Sequence, residues 1–365
     1  MEEQSAPIQC KERPPLFSAA ALRRLIIPLV IEQFLAMTIG MADTIMVTSV
    51  GEHAVSGVSL VDKISILLIN IFSALATGGA VVAAQYLGSR DESNACAAAK
   101  QLFYVVGALS TATMAVCLLF REPILRLVFG QLDASVMEAA MTYFLLTALS
   151  YPLLAVYNAG AALFRSMGNS KVSMLASLLM NLINIGLNAV LIYGAGIGVA
   201  GAGFGTLFSR LAGAVLMTWL ICRKGHVIHI DHLFRPEFRK QLVKKILRIG
   251  VPNGLENGMF QIGKLLVLGL VTPLGTSATA ANAIANSVAS VVNVPGNAIS
   301  LSLITVVGQC MGAGDSRQAV GYTRKLMAIV YLAMGTLCVL LFFFAAPVVG
   351  IFGLTAGPAG QAAGV

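Results

Sequence analysis

Charge is what this chain has least of. Asp, Glu, Lys and Arg make up 11% of its 365 residues, against about 25% in an ordinary soluble domain. Apolar residues make up 57%, and they come in blocks long enough to cross a bilayer, which takes about 20 residues each. A soluble core would alternate apolar and polar positions instead. Paired cysteine motifs are lacking too. The six cysteines (Cys10, Cys96, Cys117, Cys222, Cys310 and Cys338) contain no CxxC spacing, so neither a disulfide framework nor a zinc site is indicated. The segment before the first apolar block carries Glu2, Glu3 and Glu12, where a secretory leader would be basic, and no cleaved leader is expected.

Enzyme signatures are also missing. There is no Walker lysine motif, dinucleotide fingerprint, HExxH or nucleophile elbow in a suitable context. The sequence therefore predicts no enzyme and no cofactor. Three of the four histidines, His226, His229 and His232, are spaced i, i+3, i+6 in a basic stretch; a solvated face is a simpler reading than a metal site.

What is present is a series of nine apolar spans, at about 25–47, 64–87, 102–120, 138–157, 173–193, 200–222, 250–272, 279–308 and 326–350. The formal charge of +8 is a topology signal rather than a nucleic-acid signal. Sorted by loop, 19 Lys and Arg fall on one side of the spans and only Arg121 and Arg126 on the other, leaving Lys63, Arg210 and Lys264 in or near spans. The basic side, which includes the amino terminus, is expected to be cytoplasmic. Within it, Arg235 to Arg248 reads as a short surface helix with anionic lipid as neighbour.

The sequence repeats itself. A shift of 224 residues aligns Pro28 with Pro252, Glu32 with Glu256, Gly51 with Gly275, Gln85 with Gln309, Gly88 with Gly312, Asp91 with Asp315, Leu102 with Leu326 and Pro123 with Pro347. Phe129-Gly130 meets Phe352-Gly353 after a slip of one. Six spans per copy put both copies in the same orientation, as parallel repeats about an axis along the membrane normal require. The expected organisation is an amino-terminal segment (1–24), a first six-helix lobe (25–222), a basic linker (223–248) and an incomplete second lobe of three spans (249–365). A full second copy would run to about residue 446, so the chain reads as lacking three of twelve spans, or as a shortened relative. The last stretch, GLTAGPAGQAAGV, reads as a weakly specified tail.

Several runs carry a resemblance: IPLVIEQFLAMTIGMADTIMVTSVG (Ile27–Gly51), ATGGAVVAAQYLGSRD (Ala76–Asp91), LFRSMGNSKVSM (Leu163–Met174), NLINIGLNAVLIYGAGIGVAGAG (Asn181–Gly203) and VVGQCMGAGD (Val306–Asp315). In this order and with the duplicated plan, the chain resembles the multidrug and toxic compound extrusion (MATE) transporters. The resemblance implies an all-α polytopic membrane protein with two helical lobes around a central cavity. It also implies export of cationic or amphipathic compounds in exchange for Na⁺ or H⁺.

Ionisable groups inside spans are functional candidates because each costs a few kcal/mol or more at the bilayer centre. Glu32 and Asp43 lie eleven residues apart, about three turns, and so share one face of the first span. A carboxylate there can take a proton, bind Na⁺ or pair with a cationic substrate, but it cannot neutralise two cations at once. The resemblance gives Asp43 the cation-coupling role, against the plain alternative of a solvated acid near the interface. Glu32 and its counterpart Glu256 read equally as functional acids or as a duplicated structural device. Lys264 reads as a partner for a carboxylate of the other lobe or as a snorkelling cation. Asn181, Asn184 and Asn188, at i, i+3 and i+7, form one polar stripe suited to cation ligation or to helix packing. The resemblance places Asn184 and Asn188 beside the coupling acid, and it makes Asn158 a further polar position. It expects an acid where this chain has Asn188, which leaves Asp43 as the only clear acid of the site. Asp91 and Asp315 read as helix caps.

The expected function is therefore secondary active efflux by alternating access, in the plasma (inner) membrane, with small molecules and the bilayer as partners. No nucleic acid and no protein partner is indicated. The alternatives are a lipid-linked oligosaccharide flippase, disfavoured because only Lys63, Arg210 and Lys264 are available to hold a pyrophosphate, and a non-transporting membrane remnant.

Overall fold

A computed structural model of the chain describes residues 14–130, 133–231, 235, 237–271 and 275–344, and all regular structure among them is helical. The first lobe is built from α1 (Ala19–Thr48), α2 (Glu52–Gly88), α3 (Glu92–Leu119), the short α4 (Arg121–Phe129), α5 (Ala134–Leu149), α6 (Tyr151–Ser166), α7 (Ser170–Asn188) and α8 (Gly198–Ile221). A π-helical turn, Ala189–Gly194, prolongs α7. The second part contains α9 (Lys240–Val271), α10 (Thr276–Gly312) and α11 (Ser316–Phe343). Cys10, His232, Pro347, Phe352-Gly353 and the Gly-rich tail lie outside the described residues.

Local chemistry sets several boundaries. Ser18 accepts the Ala21 backbone N–H at 3.1 Å and opens α1. Asp91 and Asp315 do the same for Asn94 and Gln318 at 3.1 and 2.9 Å, opening α3 and α11. A short side-chain acceptor satisfies one of the four N–H groups a helix start leaves free.

The internal repeat is visible in the coordinates. α10 begins and ends 224 residues after α2, and α11 does so after α3. Gly88 sits where a Cβ would overlap the Gln309 carbonyl, and Gly312 where one would overlap that of Gln85. The two contacts exchange under the repeat shift. This is what a two-fold relation about the crossing of α2 and α10 produces. Small residues permit the approach, as they do between membrane helices generally. Nearby, a Cβ on Gly78 would lie 2.7 Å from the Gly250 backbone nitrogen, so α9 and α2 also pack main chain to main chain.

Among the described residues seven helices are long and apolar enough to cross a membrane, and α5 and α6 pass the same test only when taken together. Three expectations need correction. The fourth span is not one helix at 138–157 but a pair bent by 44°; Pro152, at the start of α6, has no N–H to continue the α5 ladder. The seventh, in α9, is long enough, yet it falls below the apolarity of the others because Asn253, Glu256, Asn257, Gln261 and Lys264 interrupt it. The basic stretch is no separate surface helix, since Lys240 to Arg248 form the first turns of α9 itself.

Candidate functional site

Asp43 lies on α1, half-buried, where α1 packs against α7 and α8. The Asn188 side-chain amide donates to Asp43 Oδ1 at 2.7 Å and is itself 3.4 Å from Asn184 Oδ1. Asn181, one turn further along α7, donates to the Leu35 carbonyl at 3.1 Å. The polar stripe thus faces α1 throughout, and its end reaches the acid. Among the described residues the buried Asn188 Oδ1 atom has no hydrogen-bond partner. It faces the backbone of Gly205 on α8, where any Cβ would overlap it.

Asp43 is not the only acid of the site. Asp62 on α2, half-buried, is close enough for its charge to act on Asp43. Tyr143 on α5 donates to Asp62 Oδ1 at 3.3 Å. Arg210 on α8 interacts electrostatically with both acids and donates to Ser150 Oγ at 2.6 Å, at the break between α5 and α6. Sequence reading missed Asp62 because the apolar run begins at residue 64, which placed the acid in a loop. α2 in fact starts at Glu52, and its first turns pack on α5. A signal was available. Asp62 and the buried Ser65 stand at i, i+3, the same spacing that marked the Asn stripe.

Glu32 belongs to a different cluster. Arg165 Nη1, at the end of α6, donates to Glu32 Oε1 at 3.0 Å, and Ser173 Oγ of α7 donates to Oε2 at 2.7 Å. With 7% of its surface exposed, Glu32 is a paired, satisfied carboxylate that ties α1, α6 and α7 together. The same corner is tied to α10, because Thr305 and Gln309 donate to the Arg165 and Ser166 carbonyls. Glu256 does not repeat the device. It is exposed on α9 and forms no ion pair among the described residues. Asn158, half-buried on α6, shares no hydrogen bond with Asp43 among the described residues.

A cavity of about 1520 Å³ opens between α2, α3 and α4 on one side and α9 and α10 on the other. Its walls are mostly aliphatic, with Lys63 from the first lobe and Lys264 from the second. Lys264 forms no ion pair among the described residues; its ammonium lies 4.9 Å from the centre of the Phe260 ring. Of the two expectations for Lys264, a carboxylate partner from the other lobe is not formed among the described residues. Among the described residues no group of three or more His, Cys, Asp or Glu could hold a metal ion. His226 packs edge-on against Phe164 and His229 lies 3.5 Å from Asp231.

The signature of one family, MatE, matches residues 28–190 and 252–363. The chain is 27% identical over 338 residues to a probable multidrug resistance protein NorM of Thermotoga maritima, covering 91% of this chain and 71% of that one. It is 24% identical over 349 residues to an FAD transporter of Shewanella oneidensis, covering 94% and 76%. Its fold matches an outward-facing multidrug resistance MATE family transporter of the MOP superfamily, with a TM-score of 0.87 at 21% identity over 94% of this chain and 76% of the other.

Proposed function

The chain belongs to the MatE family of multi-pass membrane transporters, and from that premise we propose that it is a secondary exporter exchanging amphipathic small molecules, cationic ones included, for Na⁺ or H⁺. The observation that carries this reading is the grouping of Asp43, Asp62 and Arg210 inside the first lobe. Two carboxylates and one guanidinium leave a single negative charge, which one Na⁺ or one H⁺ neutralises. Asn188 now presents its N–H₂ to Asp43. Turning that amide would present its unpartnered oxygen instead, the atom a cation requires. Occupancy of the site thereby alters the contact between α1 and α7.

Relatives named for multidrug resistance and for FAD show that family membership does not fix the substrate. The cavity between the lobes is the natural place for it, as pockets at such interfaces commonly are. One charge moving down 100 mV supplies about 2.3 kcal/mol, enough for roughly fiftyfold accumulation of a neutral solute. The basic ends of the helices are assigned to the cytoplasm on the positive-inside rule, and the amino terminus with them.

Ethidium efflux from proteoliposomes, with a Na⁺ or a pH gradient imposed one at a time, tests the proposal. One gradient should accelerate efflux in the wild type, and Asp43→Asn should remove that acceleration, a fall of about fivefold or more for a coupling energy of about 1–3 kcal/mol. Unchanged gradient-driven efflux in Asp43→Asn contradicts the assignment.

A further inference from the structure

We propose that the groove at the foot of α9, lined by Phe238, Lys240, Val243, Lys244, Leu247 and Arg248, is a binding site for the headgroup of an anionic phospholipid. The fold sorts the basic residues of this stretch into two groups. Lys245 is engaged by Tyr86 of α2, its ammonium donating to the hydroxyl at 3.0 Å and lying 5.3 Å from the ring centre. Arg239 donates to Asn94 Oδ1 of α3 at 3.4 Å. Lys240, Lys244 and Arg248, by contrast, are exposed and form no ion pair among the described residues. Spaced i, i+4 and i+8, they follow one face of α9 at steps of about 6 Å. All three line the same groove, of about 380 Å³. No Asp or Glu lines it among the described residues, and the neighbouring Glu237 is turned to Lys100 at 3.6 Å.

Packing behind the groove holds it open. Leu242 and Ile246, on the far face of α9, are buried where that helix packs against the first lobe. The main chain around Phe238 is pinned to α3. Tyr104 donates to the Arg235 carbonyl at 2.9 Å, and the Gln101 amide donates to the Glu237 carbonyl at 2.5 Å and accepts the Arg239 N–H at 3.2 Å. The Phe238 ring is thereby left 67% exposed, beside the half-buried Val243 and Leu247. Three cations around an apolar floor suit a phosphate that carries acyl chains better than a soluble anion. They also stand in the turns just before the seventh span, at the end of α9 assigned to the cytoplasm, where anionic headgroups lie. The repeat supplies an internal comparison. Under the 224-residue shift Lys240, Lys244 and Arg248 correspond to Leu16, Ala20 and Arg24, which line a groove of about 450 Å³ at the foot of α1. The two grooves share a place in the fold and differ in charge. Packing therefore does not require the two lysines, and their charge serves what occupies the groove.

Tryptophan quenching by brominated lipid tests the proposal. Trp219 is the chain's only tryptophan, so the full chain carrying Trp219→Phe and Phe238→Trp has a single reporter, placed in the groove. It is reconstituted in phosphatidylcholine nanodiscs containing a rising fraction of brominated phosphatidylglycerol or of brominated phosphatidylcholine. Phosphatidylglycerol should quench at a mole fraction about tenfold lower or less, at the usual worth of juxtamembrane cations. Lys240→Leu/Lys244→Ala, which installs the residues of the first copy, should remove most of that preference. Lys240→Arg/Lys244→Arg, which keeps both charges, should retain it and so controls for folding. Inorganic pyrophosphate at matched ionic strength should leave quenching by phosphatidylglycerol unchanged. Equal quenching by the two lipids, or a preference that survives Lys240→Leu/Lys244→Ala, overturns the proposal. Displacement of phosphatidylglycerol by pyrophosphate overturns it too, in favour of a soluble anion. The measurement involves no gradient and no transported solute, so its outcome is independent of the exporter reading.

Discussion

The candidate ion site depends on a few atoms that leave no room for substitution. Asn188 reaches Asp43 because Gly205 gives its amide the space a side chain would fill. Gly205→Ala should force α8 away from α7 and destabilise the protein by about 1–3 kcal/mol, as overpacking does, and it should weaken ion coupling more than solute binding. Thermal unfolding in detergent, alongside ion-driven efflux, checks both. Asp43 and the Asn stripe were legible in the sequence because polar residues at helical spacing inside an apolar block must turn towards protein or water rather than lipid. Asp62 was not, because an acid at the edge of an apolar run looks like the edge of the span. Only the packing of α2 on α5 reveals that the helix begins earlier.

At the scale of elements, α2 and α10 cross with no room for a side chain between them. Gly88 and Gly312 exchange contacts with Gln309 and Gln85 at the crossing, so a side chain at either glycine must separate the two helices at this end. Gly88→Val should therefore slow the lobe movement that alternating access requires and lower efflux at least severalfold. Ethidium binding in the cavity, which lies nearer the opposite ends of these helices, should be largely preserved. Efflux equal to wild type would show that the crossing does not move. The repeat predicted this symmetry from matched residues alone, and the equal lengths of α2 and α10 and of α3 and α11 follow from it. The bend between α5 and α6 had one marker in the sequence, Pro152, whose missing N–H cannot continue the α5 ladder; the hydrogen bond from Arg210 to Ser150 at the break had none.

For the molecule as a whole, the Glu32–Arg165 pair joins α1 to α6, and the Thr305 and Gln309 bonds join that corner to α10. Arg165→Gln leaves a buried carboxylate without its charge partner and should destabilise by about 3–5 kcal/mol. Adding Glu32→Gln should recover much of that loss, which a thermal-unfolding double-mutant cycle measures. A pair that serves only as anchor leaves ion coupling intact in the double variant, in contrast to Asp43→Asn. The central claim, exchange through Asp43, is tested most directly by running the machine backwards. Proteoliposomes are given an ethidium gradient and no ion gradient, while radioactive Na⁺ uptake and internal pH are recorded. The account predicts that Na⁺ or H⁺ moves against the solute in the wild type and not in Asp43→Asn. Solute flux that moves neither ion, or ion movement that survives Asp43→Asn, contradicts it.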